Sequence, residues 1–209
     1  VLGAAMALAD SLGGKFSLLH NAASRVGGME VGCVPGDDGR DTDHILVGAA
    51  SGAVEVVYLL GADEIDMETL GKAFVIYQGH HGDNGAHVAD VILPGAAYTE
   101  KSGLYVNMEG RVQLSSRAVP PKGNAKEDWA IIRALSAKMN RVLPYDNLEA
   151  LRTKLMADHP TFMSLDTAPA LEAFDPTTLG KAGDLSADML KNPITDFYMT
   201  NAIARASTV

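Results

Sequence analysis

The chain has 209 residues, of which 47% are hydrophobic, so it can bury a sizeable core in one or two domains. Its formal net charge is -9 and its Lys and Arg residues form no cluster, which argues against nucleic acid or an anionic lipid surface as a partner. The apolar runs are far shorter than the roughly 18 residues of a membrane span. The single cysteine, Cys33, excludes an internal disulfide and is too little for an iron–sulphur or structural zinc site.

The N-terminal part of the sequence predicts a helix followed by weaker elements. Alanine and leucine at helical spacing favour a helix over residues 1–12, which Gly13 and Gly14 end. A brief strand is predicted over residues 16–19. Residues 35–43 contain proline, glycine and aspartate at nearly every position, so we expect an exposed loop there.

Three apolar runs in the middle of the chain predict a parallel sheet. They cover residues 53–60, 73–77 and 91–93, and a glycine follows each of them. Residues 67–72 and 84–89 predict short helical crossovers. The expected fold class is α/β, with a Rossmann-like, mostly parallel sheet and flanking helices, whose sites would lie beyond the carboxyl ends of the strands.

A β-hairpin is predicted next, with one strand ending at Met108 and the other beginning at Arg111. If Glu109 and Gly110 alone form the loop, Met108 pairs with Arg111 and Val106 pairs with Gln113. The opposite face would then be the core side, and it would carry Tyr105, Asn107, Val112 and Leu114.

Two helices and an extended tail complete the predicted order. The helices are expected over residues 125–139 and 147–157, with Asn147 as the N-terminal cap of the second. Scattered prolines and glycines from residue 161 onward favour an extended tail that lies on a partner. We therefore predict an α/β domain over residues 1–160 and a tail over residues 161–209.

Polar residues are interleaved with glycines directly after the third strand. Leu-Pro at 93–94 is followed by Glu-Lys, then Gly103, then Asn-x-Glu-Gly-Arg-x-Gln at 107–113. This run resembles the fourth-domain signature of the molybdopterin-dependent oxidoreductases. It resembles still more closely the iron–sulphur subunits of respiratory complex I, NADH:ubiquinone oxidoreductase. Matching residues continue outside the run, at 59–63, 76–83, 127–136, 143–146 and 196–200.

The resemblance implies that the polar run is a relic of a pterin-binding motif. Arginine and lysine could bind phosphate, and asparagine or glutamine could satisfy pterin edges. In the molybdenum enzymes the motif serves the cofactor, whereas the complex I resemblance implies a fold that is kept without it. We therefore expect a structural role, no catalytic residue and no cofactor binding at the relic positions Glu100, Lys101, Asn107, Glu109, Gly110, Arg111 and Gln113.

No metal site is expected in this sequence. His80 and His81 are adjacent in an extended segment, so their side chains should point in opposite directions and chelate one ion poorly. Structural hydrogen bonding is the preferred interpretation of both. Asp63 and Asp83, at strand ends, are expected to have turn or cap roles.

The resemblance also implies a function for the whole protein. We expect a non-catalytic scaffold in the peripheral arm of complex I, which passes electrons from NADH through flavin and iron–sulphur clusters to ubiquinone. Its partners would be the other peripheral-arm subunits, including the flavoprotein and the N-terminal iron–sulphur region. That region, or a separate chain, would hold the clusters. The expected location is the matrix side of the mitochondrial inner membrane.

Two alternatives remain open from the sequence. One is the C-terminal part of a molybdenum or tungsten pterin-dependent oxidoreductase, similar to formate dehydrogenase, with the pterin bound along residues 100–113. The other is an isolated Rossmann-like binding module.

Overall fold

The structure is a computed structural model, and it describes residues 1–20, 22, 24–82, 84–170, 175, 183, 186–189, 191–192, 194, 196–199 and 201–207. The α-helices are α1 Leu2–Ser11, α2 Arg25–Glu30, α3 Thr42–Ser51, α4 Asn84–Val88, α5 Asp128–Lys138, α6 Leu148–Asp158 and α7 Ala202–Arg205. The strands are β1 Val56–Leu60, β2 Phe74–Gly79, β3 Val91–Pro94, β4 Gly103–Val106 and β5 Val112–Ser115. Short 3₁₀ turns occur at Met67–Leu70, Tyr98–Glu100, Pro160–Met163 and Phe197–Met199. None of these helices is long and apolar enough to cross a membrane.

The predicted parallel sheet is confirmed. Strands β1, β2 and β3 lie side by side in that order and run parallel, with Tyr58 beside Ile76 and Ile76 beside Val91. Side chains alternate between the two faces, so one face carries Val57, Leu59, Val75 and Tyr77 into a core. Helix α3 and the turn Met67–Leu70 contribute Ala49 and Leu70 to this core.

Helix α3 begins inside the region that was predicted to be a loop. The Asp41 carboxylate accepts a hydrogen bond of 2.9 Å from the backbone N–H of His44, so Asp41 caps the helix. Gly52, at φ +79°, ends it. The prediction of an exposed loop is therefore wrong for residues 42–43. The strand predicted over residues 16–19 is also wrong, since these residues pair with no strand in the described part of the chain.

The hairpin forms, but its predicted register is wrong by one residue. Val106 pairs with Val112, and Tyr105 pairs with Gln113. The loop has three residues rather than two, because Asn107 N–H donates to the Arg111 carbonyl and Gly110 takes φ +77°. The core face consequently contains Val106 together with Val112, whereas Leu114 is exposed.

A second core forms behind the hairpin. It is built around Val106, Val112 and Phe162, all at most 5% exposed, with side chains of α2 and α6 packed on it. Helix α6 starts where expected, since the Asn147 side chain accepts a hydrogen bond of 2.8 Å from Ala150 N–H. The following chain also docks here, because Asp166 N–H donates to the Val112 carbonyl. The predicted division at residues 160 and 161 stays a prediction, and much of the 161–209 segment lies outside the described residues.

Phe162→Ala should lower the free energy of unfolding by about 3–5 kcal/mol, because Phe162 fills the second core and the alanine would leave a cavity. Met163→Ala is the matched control. Its neighbouring side chain is 67% exposed, and a change within about 0.5 kcal/mol is expected. Urea unfolding of the two variants measures both values. Equal effects of the two substitutions would contradict the assignment of Phe162 to a core.

Candidate functional site

The carboxyl ends of the three parallel strands form one edge, at which the polar residues collect. Gly61 N–H donates to the Gln78 carbonyl, and Gly95 N–H donates to the Gly79 carbonyl, at 2.7 and 2.8 Å. Beyond this edge lie Asp63, the His80–His81 pair and the loop that begins at Ala96. In open α/β sheets ligands bind in the crevice beyond such an edge. This edge is therefore the candidate site.

The side-chain amide of Gln78 lies at the centre of a hydrogen-bonded network. Gln78 is 0% exposed. Its Oε1 accepts from the Tyr58 hydroxyl, and its Nε2 donates to Asp128 Oδ1 at 2.8 Å. Lys101 Nζ pairs with the other oxygen of the same carboxylate. Burial, and secondly the negative charge of Asp128, raise the pKa of Tyr58, which keeps its hydroxyl protonated as the donor.

The network fixes helix α5 against the sheet. Asp128 stands in the first turn of that helix, where the dipole favours a carboxylate. Ala96 N–H donates to the Lys126 carbonyl, and Lys126 N–H donates to the Pro94 carbonyl, at 2.8 and 3.1 Å. A Cβ at Gly95 would lie only 2.9 Å from Asp128 Oδ1. A glycine is therefore needed where the strand end meets the carboxylate.

The relic motif positions divide into two groups. Glu100 and Lys101 belong to the sheet edge, where the Glu100 carboxylate accepts a 3.0 Å hydrogen bond from Ala97 N–H within its own turn. Asn107, Glu109, Gly110 and Arg111 lie at the hairpin tip. Gln113 is exposed and lines a cavity of about 900 Å³ at the sheet edge.

The polar groups of the hairpin tip bind the chain itself. Asn107 Oδ1 accepts from the N–H groups of Glu109 and Arg111, at 2.9 and 3.0 Å. The Arg111 guanidinium donates to the Asp166 carbonyl and lies 3.5 Å from the Glu109 carboxylate. At Gly110 a Cβ would lie 2.7 Å from Cγ of Pro169. These contacts hold the hairpin to the segment that follows Phe162.

The histidine pair lies at the end of β2. His80 Nδ1 and His81 Nδ1 are 2.5 Å apart, and the rings meet edge to face. Partial burial, with the neighbouring charges of His81 and Lys101, lowers the pKa of His80. The His81 carbonyl accepts from the Tyr77 hydroxyl at 3.1 Å. Within the residues that the structure describes, no three His, Cys, Asp or Glu side chains are grouped so that they could hold a metal ion. Asp83 lies outside the described residues.

The C-terminal helix α7 lies over the sheet edge. Arg205 Nη2 donates to Asp63 Oδ1 at 2.7 Å, and Nη1 donates to Glu64 Oε1 at 3.1 Å. The Asp63 side chain is only 3% exposed, so this ion pair anchors the helix to a buried carboxylate. The helix and the sheet edge, with Tyr98 and Tyr105, together line the cavity of about 900 Å³.

Sequence reasoning missed the partners of these groups. Asp63 was expected to have a turn or cap role, and Arg205 was not considered. Gln78 was part of a motif resemblance, although one polar residue among the apolar residues of a strand could have marked a buried hydrogen bond. Asp128 was attributed to the helix dipole alone. The contact of Asp128 with Gln78 joins residues 50 positions apart, which no local pattern encodes.

The fold and this edge match a known class of protein. Residues 1–138 match the family model described as molybdopterin oxidoreductase, and residues 164–209 match one that describes a C-terminal region of NADH-ubiquinone oxidoreductase. The first match takes in more than half of the chain. The chain therefore belongs to the molybdopterin oxidoreductase family.

Its curated relatives are more specific. Over 194 residues the chain is 43% identical to the NADH-ubiquinone oxidoreductase 75 kDa subunit of Reclinomonas americana, covering 92% of this chain and 27% of that protein. Over 199 residues it is 45% identical to the mitochondrial 78 kDa subunit of Candida albicans, covering 91% and 26%. Over 203 residues it is 43% identical to a subunit of the NADH-quinone oxidoreductase of Rickettsia bellii, covering 92% and 26%. The resemblance inferred from the motifs is confirmed, and the chain spans about a quarter of the length of these relatives.

Arg205→Met should release helix α7 from the sheet edge, because it removes the ion pair with the buried Asp63. We expect amide hydrogen exchange of residues 204–205 to accelerate roughly tenfold or more, which corresponds to about 1.4 kcal/mol or more of lost docking energy. Asp63→Asn should have a similar effect.

Arg117→Met is the control for this measurement. Arg117 is half exposed and lies 3.9 Å from Glu127, a surface pair that should contribute little. The docking of α7 through Arg205 is contradicted if exchange at residues 204–205 is the same in Arg205→Met and in the unmodified chain.

Proposed function

We propose that this chain is a non-catalytic scaffold domain of an iron–sulphur subunit of respiratory complex I. In that role it supports the peripheral arm that carries electrons from NADH through flavin and iron–sulphur clusters to ubiquinone. The observation that carries the proposal is the use of the relic motif: its cations are bound to the chain's own carboxylate and carbonyl groups. Lys101 pairs with Asp128, and Arg111 pairs with Glu109 and the Asp166 carbonyl.

These contacts do not fit the demands of a pterin cofactor. A bound pterin would need cations for its phosphate and free amide or carboxylate groups for its ring edges. Lys101 is already neutralised by Asp128, which in turn satisfies the buried Gln78 amide. Withdrawing Lys101 would leave a partly buried carboxylate without its counter-charge, at a cost that a new phosphate contact would have to offset. We propose that the domain works without a pterin and that the motif positions are structural.

Helix α7 supports the same proposal. It lies over the crevice in which doubly wound folds bind their ligands, and it brings Arg205 to the buried Asp63. The crevice is thereby lined in part by the chain's own C-terminal segment. A domain of this kind transmits load between neighbours rather than presenting an open site.

The relatives support a place within the respiratory complex. All three are named as subunits of NADH-ubiquinone or NADH-quinone oxidoreductases. We propose that the partners are the other peripheral-arm subunits, including the flavoprotein and the N-terminal iron–sulphur region, and that the clusters lie in that region or in a separate chain. The Candida albicans relative is named as mitochondrial, and we propose the matrix side of the mitochondrial inner membrane.

Arg111→Ala, introduced into the full-length protein, should lower the amount of assembled complex several-fold, because it frees the hairpin tip from the segment at Asp166. Loss of about 1–2 kcal/mol is enough for such a change in abundance. NADH:ubiquinone turnover per assembled complex should be unchanged. Native gel electrophoresis with quantification of flavin gives both values.

Arg117→Ala serves as the matched control, since Arg117 is exposed and its ion pair is long. It should leave both assembly and turnover at the level of the unmodified protein. If Arg111→Ala assembles normally but turns over slowly, Arg111 takes part in the chemistry and the scaffold proposal is wrong.

A further inference from the structure

A second cavity lies on the other side of Lys101, away from the crevice under α7. It has a volume of about 430 Å³, within the roughly 300–1,000 Å³ range of small-ligand pockets. It opens between α2, the start of β4 and α6. Most of its wall is apolar and includes Val31, Leu104, Leu151 and Phe162.

Arg152 of α6 places a buried cation in this apolar wall. Its Nη2 atom is shielded from solvent and has no hydrogen-bond partner among the described residues. A buried guanidinium nitrogen without a partner costs free energy, so an acceptor brought into the cavity would recover it. Arginine binds carboxylates through a planar fork, often with two parallel hydrogen bonds.

The carboxylates already in the wall do not serve Arg152. Glu127 accepts a hydrogen bond of 2.9 Å from the Trp129 indole and lies 3.9 Å from Arg117. Asp128 is engaged by Gln78 and Lys101. These two negative charges also disfavour a dianion such as phosphate, because like charges repel at short range. A single negative charge on an apolar body matches the cavity best.

We propose that this cavity is a binding site for a monocarboxylate carried on an apolar body, with Arg152 as its anchor. Two sources offer that chemistry: a free fatty carboxylate, and an acidic residue on an apolar peptide segment. The site is independent of the scaffold proposal, since it uses neither the relic motif nor the crevice under α7.

The chain has a built-in reporter for this site. Trp129 is the only tryptophan in the sequence, and it lines the cavity. The 209-residue chain is titrated with octanoate and octanol, and in a second arm with acetyl-Leu-Leu-Glu-Leu-Leu-amide and its Gln counterpart, while Trp129 fluorescence is recorded. Saturation by octanoate identifies a free carboxylate as sufficient. Saturation by the Glu peptide alone identifies a peptide segment as the ligand.

Three variants establish the role of Arg152. Arg152→Met should weaken binding of the carboxylate probe at least tenfold, and Arg152→Lys should weaken it less, because lysine keeps the charge but loses the fork. Lys154→Met removes an exposed cation of the same helix, which pairs with Asp158, and should leave binding unchanged.

The proposal is overturned by any of three results. Octanol and the Gln peptide could bind as tightly as their carboxylate counterparts, or neither carboxylate probe could give a saturable change below about 1 mM. Unaltered binding in Arg152→Met would also overturn it. The comparison of charged with neutral probes uses the unmodified chain, so it decides the matter even if Arg152→Met does not fold.

Discussion

The buried amide of Gln78 is the group on which the carboxyl edge of the sheet depends. A fully buried amide in an apolar strand must find both an acceptor and a donor, or it costs free energy that a small domain cannot spare. The Tyr58 hydroxyl of β1 supplies the donor and Asp128 of α5 supplies the acceptor. Asp128 then requires Lys101 as its counter-charge. One amide therefore joins two strands, a helix and the loop after the third strand.

This constraint explains why polar residues typical of a cofactor site can be structural. Lys101 and Asp128 satisfy each other at the sheet edge, and Arg111 and Asn107 satisfy the backbone around the hairpin tip. The contact of Arg205 with the buried Asp63 extends the same principle to the C-terminal helix. Partly buried ion pairs add little net stability, but losing one partner is expensive, so they hold the elements in one arrangement. An arrangement held at three places is what a supporting domain requires.

The sequence was sufficient for those features that local patterns encode. The apolar runs before Gly61, Gly79 and Gly95 predicted the parallel sheet, and the Asn147 cap predicted the start of α6. Helix α3 was missed although Asp41 and Gly52 carry the cap signals at its two ends, because the turn-forming residues before it dominated the pattern. The hairpin register failed because a two-residue loop was assumed, whereas Gly110 adopts the left-handed conformation of a three-residue loop.

The features that the sequence did not reveal are contacts between distant residues. Gln78 and Asp128 are 50 residues apart, and Asp63 and Arg205 are 142 residues apart. The orphaned nitrogen of Arg152 is also a property of packing, since its helical position alone resembles that of any surface arginine. Such contacts depend on how separate elements meet, and periodicity and capping rules describe only the elements themselves.

The central claim is that the relic motif holds the domain together and binds no cofactor. Analysis of molybdenum, tungsten and pterin in the full-length protein, purified in its native assembly, tests it most directly. The account predicts that molybdenum, tungsten and oxidised-pterin fluorescence are all far below one equivalent per chain. A stoichiometric amount of pterin with either metal would contradict it.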